Sequence, residues 1–245
     1  MEYYIVSSEN VDLKKNELFI VGYEYNHLSK VLRKKTGDRI STTDGLLNVY
    51  HCIIKSIDKS KIVCSIEKTE FNLHEPDINL TLLTAPLKNL TRYEFLIEKA
   101  VELGVKKIQP VITEHTIIKY QFSKIKMERF NRIISGAVSQ SQRCFLPEFQ
   151  NLILFDDMIK LTNQIQNKIV MYEYSDDVTE IKTDNNSKEY YLLIGPEGGF
   201  SEEEISKLKN SGWEIKSLGN RKLRSETAAI IAVNNLFLSH SEKLN

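Results

Sequence analysis

The pattern of apolar and polar positions changes near residue 72. Before it, short apolar or β-branched runs are separated by tight turns such as Asp44-Gly45, and a short helix is expected over residues 26–35. The runs predict strands over residues 3–6, 17–21, 39–43, 48–57 and 62–68. Several short strands joined by tight turns are typical of a small β-barrel or sandwich.

From residue 78 onward, β-runs alternate with helical periodicity. Strands are predicted over residues 79–85, 105–113, 169–174, 190–194 and 213–218. Helices are predicted over residues 91–104, 123–142, 201–212 and 225–240, with capping boxes at Thr91-x-x-Glu94 and Ser201-x-x-Glu204. This alternation predicts a parallel sheet covered on both faces, and the polar stretch 176–188 predicts a surface loop.

Composition narrows the possible partners and compartments. The 245 residues carry 33 basic and 33 acidic side chains, so any nucleic-acid contact requires a local basic surface. The three cysteines lack C-x-x-C spacing, which indicates reduced thiols rather than disulfides or metal ligands. No apolar run approaches the roughly 18 residues of a membrane span, and the N-terminus lacks a signal-peptide pattern. We therefore expect a cytoplasmic protein without a metal or a membrane partner.

A glycine loop, Gly195-Pro-Glu-Gly-Gly199, follows the predicted buried strand 190–194. Glycines allow positive φ and a close approach of a ligand to the backbone. The loop lacks both the Gly-Lys-Ser/Thr of a phosphate loop and Gly-x-Gly-x-x-Gly. It suits a flat, neutral ligand such as adenine, and the alternative is a tight turn capped by Ser201.

A basic loop, residues 218–225, places Arg221, Lys222 and Arg224 just before a helix N-terminus. Cations are unfavourable there, because a helix N-terminus prefers anions. This placement indicates that the loop holds a phosphate or carboxylate, although a solvated basic loop is the alternative. In open α/β sheets, two loops at the carboxyl ends of neighbouring strands form a binding edge. A second basic cluster, around Lys30, Arg33 and Lys34, indicates either phosphate contact or a solvated helix face.

Several motifs together resemble the bacterial family of 16S rRNA (uracil(1498)-N3)-methyltransferases of the SPOUT class. They are Gly195-Pro-Glu-Gly-Gly199, Leu223-Arg-Ser-Glu-Thr-Ala228, His27-Leu-Ser-Lys-Val-Leu-Arg33, Glu98-Lys-Ala-Val-Glu-Leu-Gly-Val105, Thr113-Glu-His and Gln140-Ser-Gln-Arg143. They run in the family's order over nearly the whole chain. The chain departs from the family in having no Arg before Arg33, Ser139 in place of a carboxylate, and His115 where an Arg is common.

The resemblance implies an α/β fold with two domains. Residues 1–72 would be a PUA-like β-barrel that binds RNA, and residues 73–245 a SPOUT methyltransferase domain with a parallel sheet and a C-terminal trefoil knot. It also implies a homodimer acting on 16S rRNA in the small ribosomal subunit, with S-adenosyl-L-methionine as cofactor. The implied cofactor contacts are Leu193, Ile194, Gly195, Pro196, Glu197, Gly198, Gly199, Leu218, Gly219, Leu223, Thr227 and Ala228.

Methylation of N3 of uracil sets requirements for the catalytic side chains. Loss of the N3 proton puts negative charge on the flanking carbonyl oxygens, so the site needs a cation or N–H donors. Arg224 is the candidate for the cation, and Glu226 is a candidate base or orienting group. The candidate RNA contacts are Lys30, Arg33, Lys34, Arg143 and Arg221. The alternatives are another SPOUT RNA methyltransferase, acting on a ribose hydroxyl or a different base, a non-catalytic RNA-binding ribosome-assembly factor, and a generic nucleotide-binding α/β enzyme.

Overall fold

A computed structural model describes residues 2–178, 181 and 187–241, except for the side chain of Ser241. Residues 179–180 and 182–186 of the predicted loop 176–188 lie outside the described residues. The chain forms two compact units. The first contains the residues up to Glu75 and the segment Ser135–Leu146, and the second contains Pro76–Ile134 and the chain from Pro147 onward. The domain boundary at residues 72–73 remains a prediction.

The first unit is a curled half-barrel built from one six-stranded sheet. Its strands are β1 (Tyr3–Ile5), β2 (Val11–Asp12), β3 (Glu17–Val21), β4 (Arg39–Thr43), β5 (Asn48–Ile57) and β6 (Lys61–Phe71). The sheet order is β1-β4-β5-β6-β3-β2, in which only the β1–β4 pair is parallel. Alternate residues of each strand point inward, so Leu18 and Ile20 from β3 meet Cys52 and Ile54 from β5 in the core.

The helix predicted over residues 26–35 begins earlier than expected. Helix α1 spans Gly22–Asn26, and a π-helical turn, His27–Val31, continues it. Gly22 has φ +65°, which allows the chain to turn directly out of β3. Asn26 therefore lies inside the helical segment and does not cap it. The segment is anchored by Leu28, which is fully buried.

The segment Ser135–Leu146 joins the first unit through a buried ion pair. The Glu75 carboxylate accepts hydrogen bonds from the Arg143 guanidinium, at 2.7 Å for the shortest, and from the backbone N–H groups of Cys144 and Phe145, both at 3.0 Å. Arg143 is only 4% exposed and the Glu75 side chain is fully buried. Sequence patterns could not show this pairing, because it joins positions 68 residues apart.

The second unit has the predicted parallel sheet. Its strands are β7 (Asn79–Thr84), β8 (Lys107–Ile112), β9 (Glu148–Phe149), β10 (Ile153–Leu154), β11 (Asn167–Met171), β12 (Glu189–Ile194) and β13 (Glu214–Lys216). The order is β10-β8-β7-β12-β11-β13, with β9 beside β8 and every pair parallel. Its helices are α2 (Leu90–Leu103), α3 (Lys124–Ser141, whose last residues belong to the first unit), α4 (Phe155–Leu161), α5 (Glu202–Asn210) and α6 (Ser225–Ser241). The trefoil knot remains a prediction.

Local signals at two helix starts had different outcomes. The capping box of Ser201 and Glu204 at α5 is confirmed. The box predicted at Thr91 and Glu94 is wrong, because the Asn89 side chain caps α2 by accepting from the N–H groups of Thr91 and Arg92. Glu94 instead binds the Arg129 guanidinium. Among the described residues, no helix is long and apolar enough to cross a membrane.

Candidate functional site

A cavity of about 310 Å³ opens where three neighbouring strands of the second unit end. Met171 and Ile194 are the last residues of β11 and β12 and lie in register, and Lys216, the last residue of β13, pairs with Met171. The glycine loop follows β12 and the basic loop follows β13. Strand β11 lies between β12 and β13, the two strands that these loops follow. The loops nevertheless line one cavity, because all three strands end at the same edge.

Most of the predicted cofactor contacts line this cavity. They are Ile194, Gly195, Pro196, Glu197, Gly199, Leu218, Gly219, Leu223 and Ala228. Three others lie outside its lining. Leu193 is fully buried in the core beneath it, Gly198 faces His115, and Thr227 is half-buried on α6.

Backbone geometry explains the glycines at the cavity wall. Gly199 and Gly219 have φ of +69° and +101°, a region that residues with a side chain adopt at a cost. A Cβ placed on Gly195 would lie 2.9 Å from the Phe200 ring, which closes the wall beside it. The loop therefore brings main-chain atoms to the cavity surface with little covering, as the sequence indicated.

The charged side chains of the cavity differ in whether they have partners within the protein. Arg224 and Glu226, the predicted catalytic pair, both line it, and so does the predicted RNA contact Arg221. Within the described part of the chain, no ion pair is formed by the guanidinium groups of Arg221 or Arg224. Both are exposed, and both can therefore meet an anionic group of a ligand.

The cavity carboxylates, in contrast, have partners. Glu173 lies 3.4 Å from the Lys222 ammonium, and Glu226 Oε1 lies 3.8 Å from Arg92 Nε. Glu197 Oε1 accepts a hydrogen bond of 3.1 Å from the backbone N–H of Lys88. These contacts fix the carboxylates around the cavity.

Sequence reasoning missed part of the wall. The missed side chains are Arg92, Met171, Tyr172, Glu173, Phe200, Ser217 and Ser225. Arg92 lies on α2, and Met171, Tyr172 and Glu173 lie at the end of β11 or directly after it. The strand order β12-β11-β13, which brings the residues of β11 to the cavity, cannot be predicted from periodicity. Partial burial raises the pKa of Tyr172, and Glu202, Tyr174 and Glu173 raise it further, so its hydroxyl is a neutral donor at neutral pH.

The predicted RNA contacts of the first unit differ in accessibility. Lys30 and Arg33 are exposed and Lys34 is half-buried, so all three can reach a phosphate group. Arg143 is held by Glu75 inside the unit, and this burial removes its charge from the surface. In this structure Arg143 supports the chain rather than presenting a cation to RNA.

The three cysteine thiols are buried away from solvent. Cys52, Cys64 and Cys144 are buried, and burial raises their pKa values to about 12, 12 and 11. Among the described residues, no group of His, Cys, Asp or Glu side chains could hold a metal ion.

Comparisons with known proteins match both parts of the chain. A family model described as an RNA methyltransferase domain matches residues 74–236, and one described as an RNA methyltransferase PUA domain matches residues 22–67. The chain is 31% identical to Ribosomal RNA small subunit methyltransferase E of Mesomycoplasma hyopneumoniae, over 90% of this chain and 94% of the relative. It is 32% identical to the protein of the same name from Buchnera aphidicola, over 91% and 92% of the two chains.

A solved structure matches the fold of the chain. The Ribosomal RNA small subunit methyltransferase E of Neisseria gonorrhoeae, bound to S-adenosyl methionine, superposes with a TM-score of 0.83 over 95% of each chain. The two sequences are 25% identical.

Proposed function

The chain belongs to the RNA methyltransferase family, and we propose that it methylates N3 of a uridine, uracil 1498, in 16S rRNA of the small ribosomal subunit. It is an rRNA methyltransferase that depends on S-adenosylmethionine, as its relatives' names and the bound neighbour support. The target atom is the one that the resemblance to the 16S rRNA (uracil(1498)-N3)-methyltransferases implies, and the cavity holds groups that suit it. The observation that carries the assignment as a methyltransferase site is the junction of the glycine loop and the basic loop in one cavity.

The cavity fits S-adenosylmethionine on its own chemistry. Apolar side chains, among them Met171, Leu218 and Leu223, suit an adenine ring, and the glycine loop brings backbone atoms close to it. Carboxylates and cations in the same wall suit a ligand that carries a sulfonium, an ammonium and a carboxylate. The volume lies in the usual range of small-molecule sites.

The bound cofactor would supply an electrophilic methyl group on a sulfonium. The protein then has to stabilise the uracil anion that forms when the N3 proton leaves. Arg224 is suited to this task, because its guanidinium offers a fixed fork of donors that always carries charge. Its exposure at the cavity and its lack of an ion partner within the described chain leave those donors available.

Glu226 is the second catalytic candidate. Its side chain is 10% exposed, and its Oε1 lies 3.8 Å from Arg92 Nε. We assign Glu226 to orientation of the base: it accepts a hydrogen bond from the uracil N3–H or from an intervening water, and the N3 proton leaves to that water. Arg92 would hold the carboxylate in place.

RNA would be bound by basic side chains of both units. Lys30, Arg33 and Lys34 in the first unit are candidate phosphate contacts, and Arg221 is a candidate at the cavity. Such contacts position RNA without reading its sequence and weaken as salt rises. The target base has to leave its stack to reach an enclosed site.

We also propose a homodimer in the cytoplasm. Helix α6 is apolar nearly all round, and it packs against α2 within the second unit. Ile231 and Leu238 on α6 and Phe95 on α2 remain partly exposed, at 36%, 51% and 45%. A second copy that covers them would bury apolar surface. Sedimentation of the wild-type protein and of Leu238→Glu tests this, with a dimer expected only for the former.

The test of the chemistry is Arg224→Ala. We expect unchanged affinity for S-adenosylhomocysteine by calorimetry and a fall in turnover on ribosomal substrate of about 100- to 1,000-fold, as for loss of one preorganised donor. Arg224→Lys should recover only part of the activity, because an ammonium lacks the fork. Arg132→Ala, on the exposed face of α3, is the matched control. Near-normal turnover of Arg224→Ala would refute the assignment.

A further inference from the structure

His115 lies against the glycine loop from outside the cavity. Its Nδ1 lies 3.2 Å from the carbonyl oxygen of Gly199, a residue that lines the cavity. This carbonyl can only accept a hydrogen bond, so the Nδ1 position has to carry the proton. His115 thus reaches the cofactor wall through the backbone of the loop.

The His115 side chain also explains why residue 198 is a glycine, which the cavity lining does not explain. Gly198 lies outside the cavity lining, and its φ is not in the left-handed region. A Cβ at Gly198 would lie 2.9 Å from His115 Cβ and 3.4 Å from its Cγ, closer than ordinary packing allows. Gly198 is therefore a glycine because His115 occupies the place of its side chain.

The turn that carries His115 is itself fixed. Thr113 and Thr116 are buried and bonded to each other, through Thr113 N–H to Thr116 Oγ1 at 2.9 Å and Thr116 N–H to the Thr113 carbonyl at 3.1 Å. The Glu114 N–H donates to Glu204 Oε1 at 2.9 Å, and Glu204 also closes the capping box at the start of α5. The turn after β8 and the start of α5 thus hold His115 beside the glycine loop.

We infer that His115 is a positioning residue for the cofactor and acts through the Gly199 carbonyl. Gly198, which has no side chain, leaves the space that His115 occupies. This inference rests on the proposed function. It assigns a task to a histidine that does not itself line the cavity. It also predicts that positions 115 and 198 are energetically coupled, since a side chain at one displaces the side chain at the other.

The coupling is tested on the full-length protein with S-adenosylhomocysteine as the calorimetric probe. His115→Ala should weaken binding by about two- to tenfold, the range for one hydrogen bond. His115→Asn should stay within twofold of wild type, because its amide places a donor where Nδ1 was. Gly198→Ala should weaken binding at least tenfold. His115→Gly should bind like His115→Ala. In His115→Gly/Gly198→Ala the new methyl group enters the space that the His115 Cβ leaves, so the affinity of this double variant should match that of His115→Gly within about twofold.

Gly136→Ala, at an exposed helical glycine with nothing within 4 Å of the added Cβ, controls for the substitution itself and should bind normally. Melting temperatures within a few degrees of wild type would confine the effects to the loop. The inference is overturned if Gly198→Ala binds like wild type, if His115→Ala binds like wild type, or if the losses multiply in the double variant. Absence of binding by the wild-type protein would overturn the proposed function and this inference with it.

Discussion

Replacing Glu75 with glutamine should destabilise the first unit strongly, because Glu75 is the buried counter-ion of Arg143. The substitution preserves shape and removes the charge. One carboxylate oxygen becomes an amide nitrogen, which cannot accept from the guanidinium or from the N–H groups of Cys144 and Phe145. Arg143 then stays buried without the charge of Glu75, because its side chain is only 4% exposed.

The size of the effect follows from this burial. Breaking a buried ion pair by removing one partner typically costs about 3–5 kcal/mol. An exposed pair in the same unit provides the contrast: Arg39 and Glu67 are 75% and 41% exposed, at a distance of 3.4 Å. Glu67→Gln, the same chemical change, should therefore cost less than about 1 kcal/mol. Arg143→Met should resemble Glu75→Gln, and the double variant should lose less than the sum of the two.

Urea denaturation measures these differences. Far-ultraviolet circular dichroism reports the whole chain, whereas fluorescence of Trp213, the single tryptophan, reports the core of the second unit. A loss in the first unit should appear in the dichroism at lower urea than in the fluorescence. A cost of less than about 1 kcal/mol for Glu75→Gln would show that the ion pair does not hold the first unit together. Loss of RNA affinity in folded Arg143→Met, as in Lys30→Ala and with wild-type stability, would show that Arg143 is an RNA contact.

Two further predictions concern buried polar groups of the second unit. The Tyr93 hydroxyl has no hydrogen-bond partner within the described chain, and the Tyr93 ring packs against Phe122, Phe130 and Phe149. Tyr93→Phe should therefore stabilise the protein by about 1 kcal/mol in urea denaturation. A loss of stability would show that the hydroxyl is bonded. Burial lowers the pKa of Lys168 below its ordinary 10.5, so the unfolded chain binds more protons between the two values and stability should rise with pH in that window. Lys168→Met should lack this rise in stability curves measured at alkaline pH, and an equal rise in both proteins would contradict the explanation.

The fold of the second unit could be predicted because its signals are local. Alternating β-runs and helical stripes located most of the long elements, and Ser201 with Glu204 marked the start of α5. Helix α4 escaped prediction because Phe155–Leu161 is short and buries only Phe155 and Met158. The registers of β11, β12 and β13 also depend on tertiary packing, so sequence patterns do not show them. These registers place Tyr172 and Glu173 at the cavity.

The candidate site shows the same division. The glycine and basic loops are contiguous in sequence, so their chemistry could be recognised before their geometry. Arg92 could not be linked to Glu226, because more than a hundred residues separate them and only the packing of α2 beside α6 brings them together. Arg143 illustrates the opposite case, since this cation lies within a recognised motif but is buried against Glu75, a partner that the motif does not reveal.

The central claim is methylation of N3 of a uridine in 16S rRNA, and nucleoside mass spectrometry tests it most directly. Small-subunit rRNA from a strain that lacks this protein should lose 3-methyluridine at the position of uracil 1498. The wild-type chain should restore the modified nucleoside, and Arg224→Ala should fail to restore it at a normal rate. Unchanged 3-methyluridine in the deletion strain, or loss of a ribose-methylated nucleoside instead, would contradict the account.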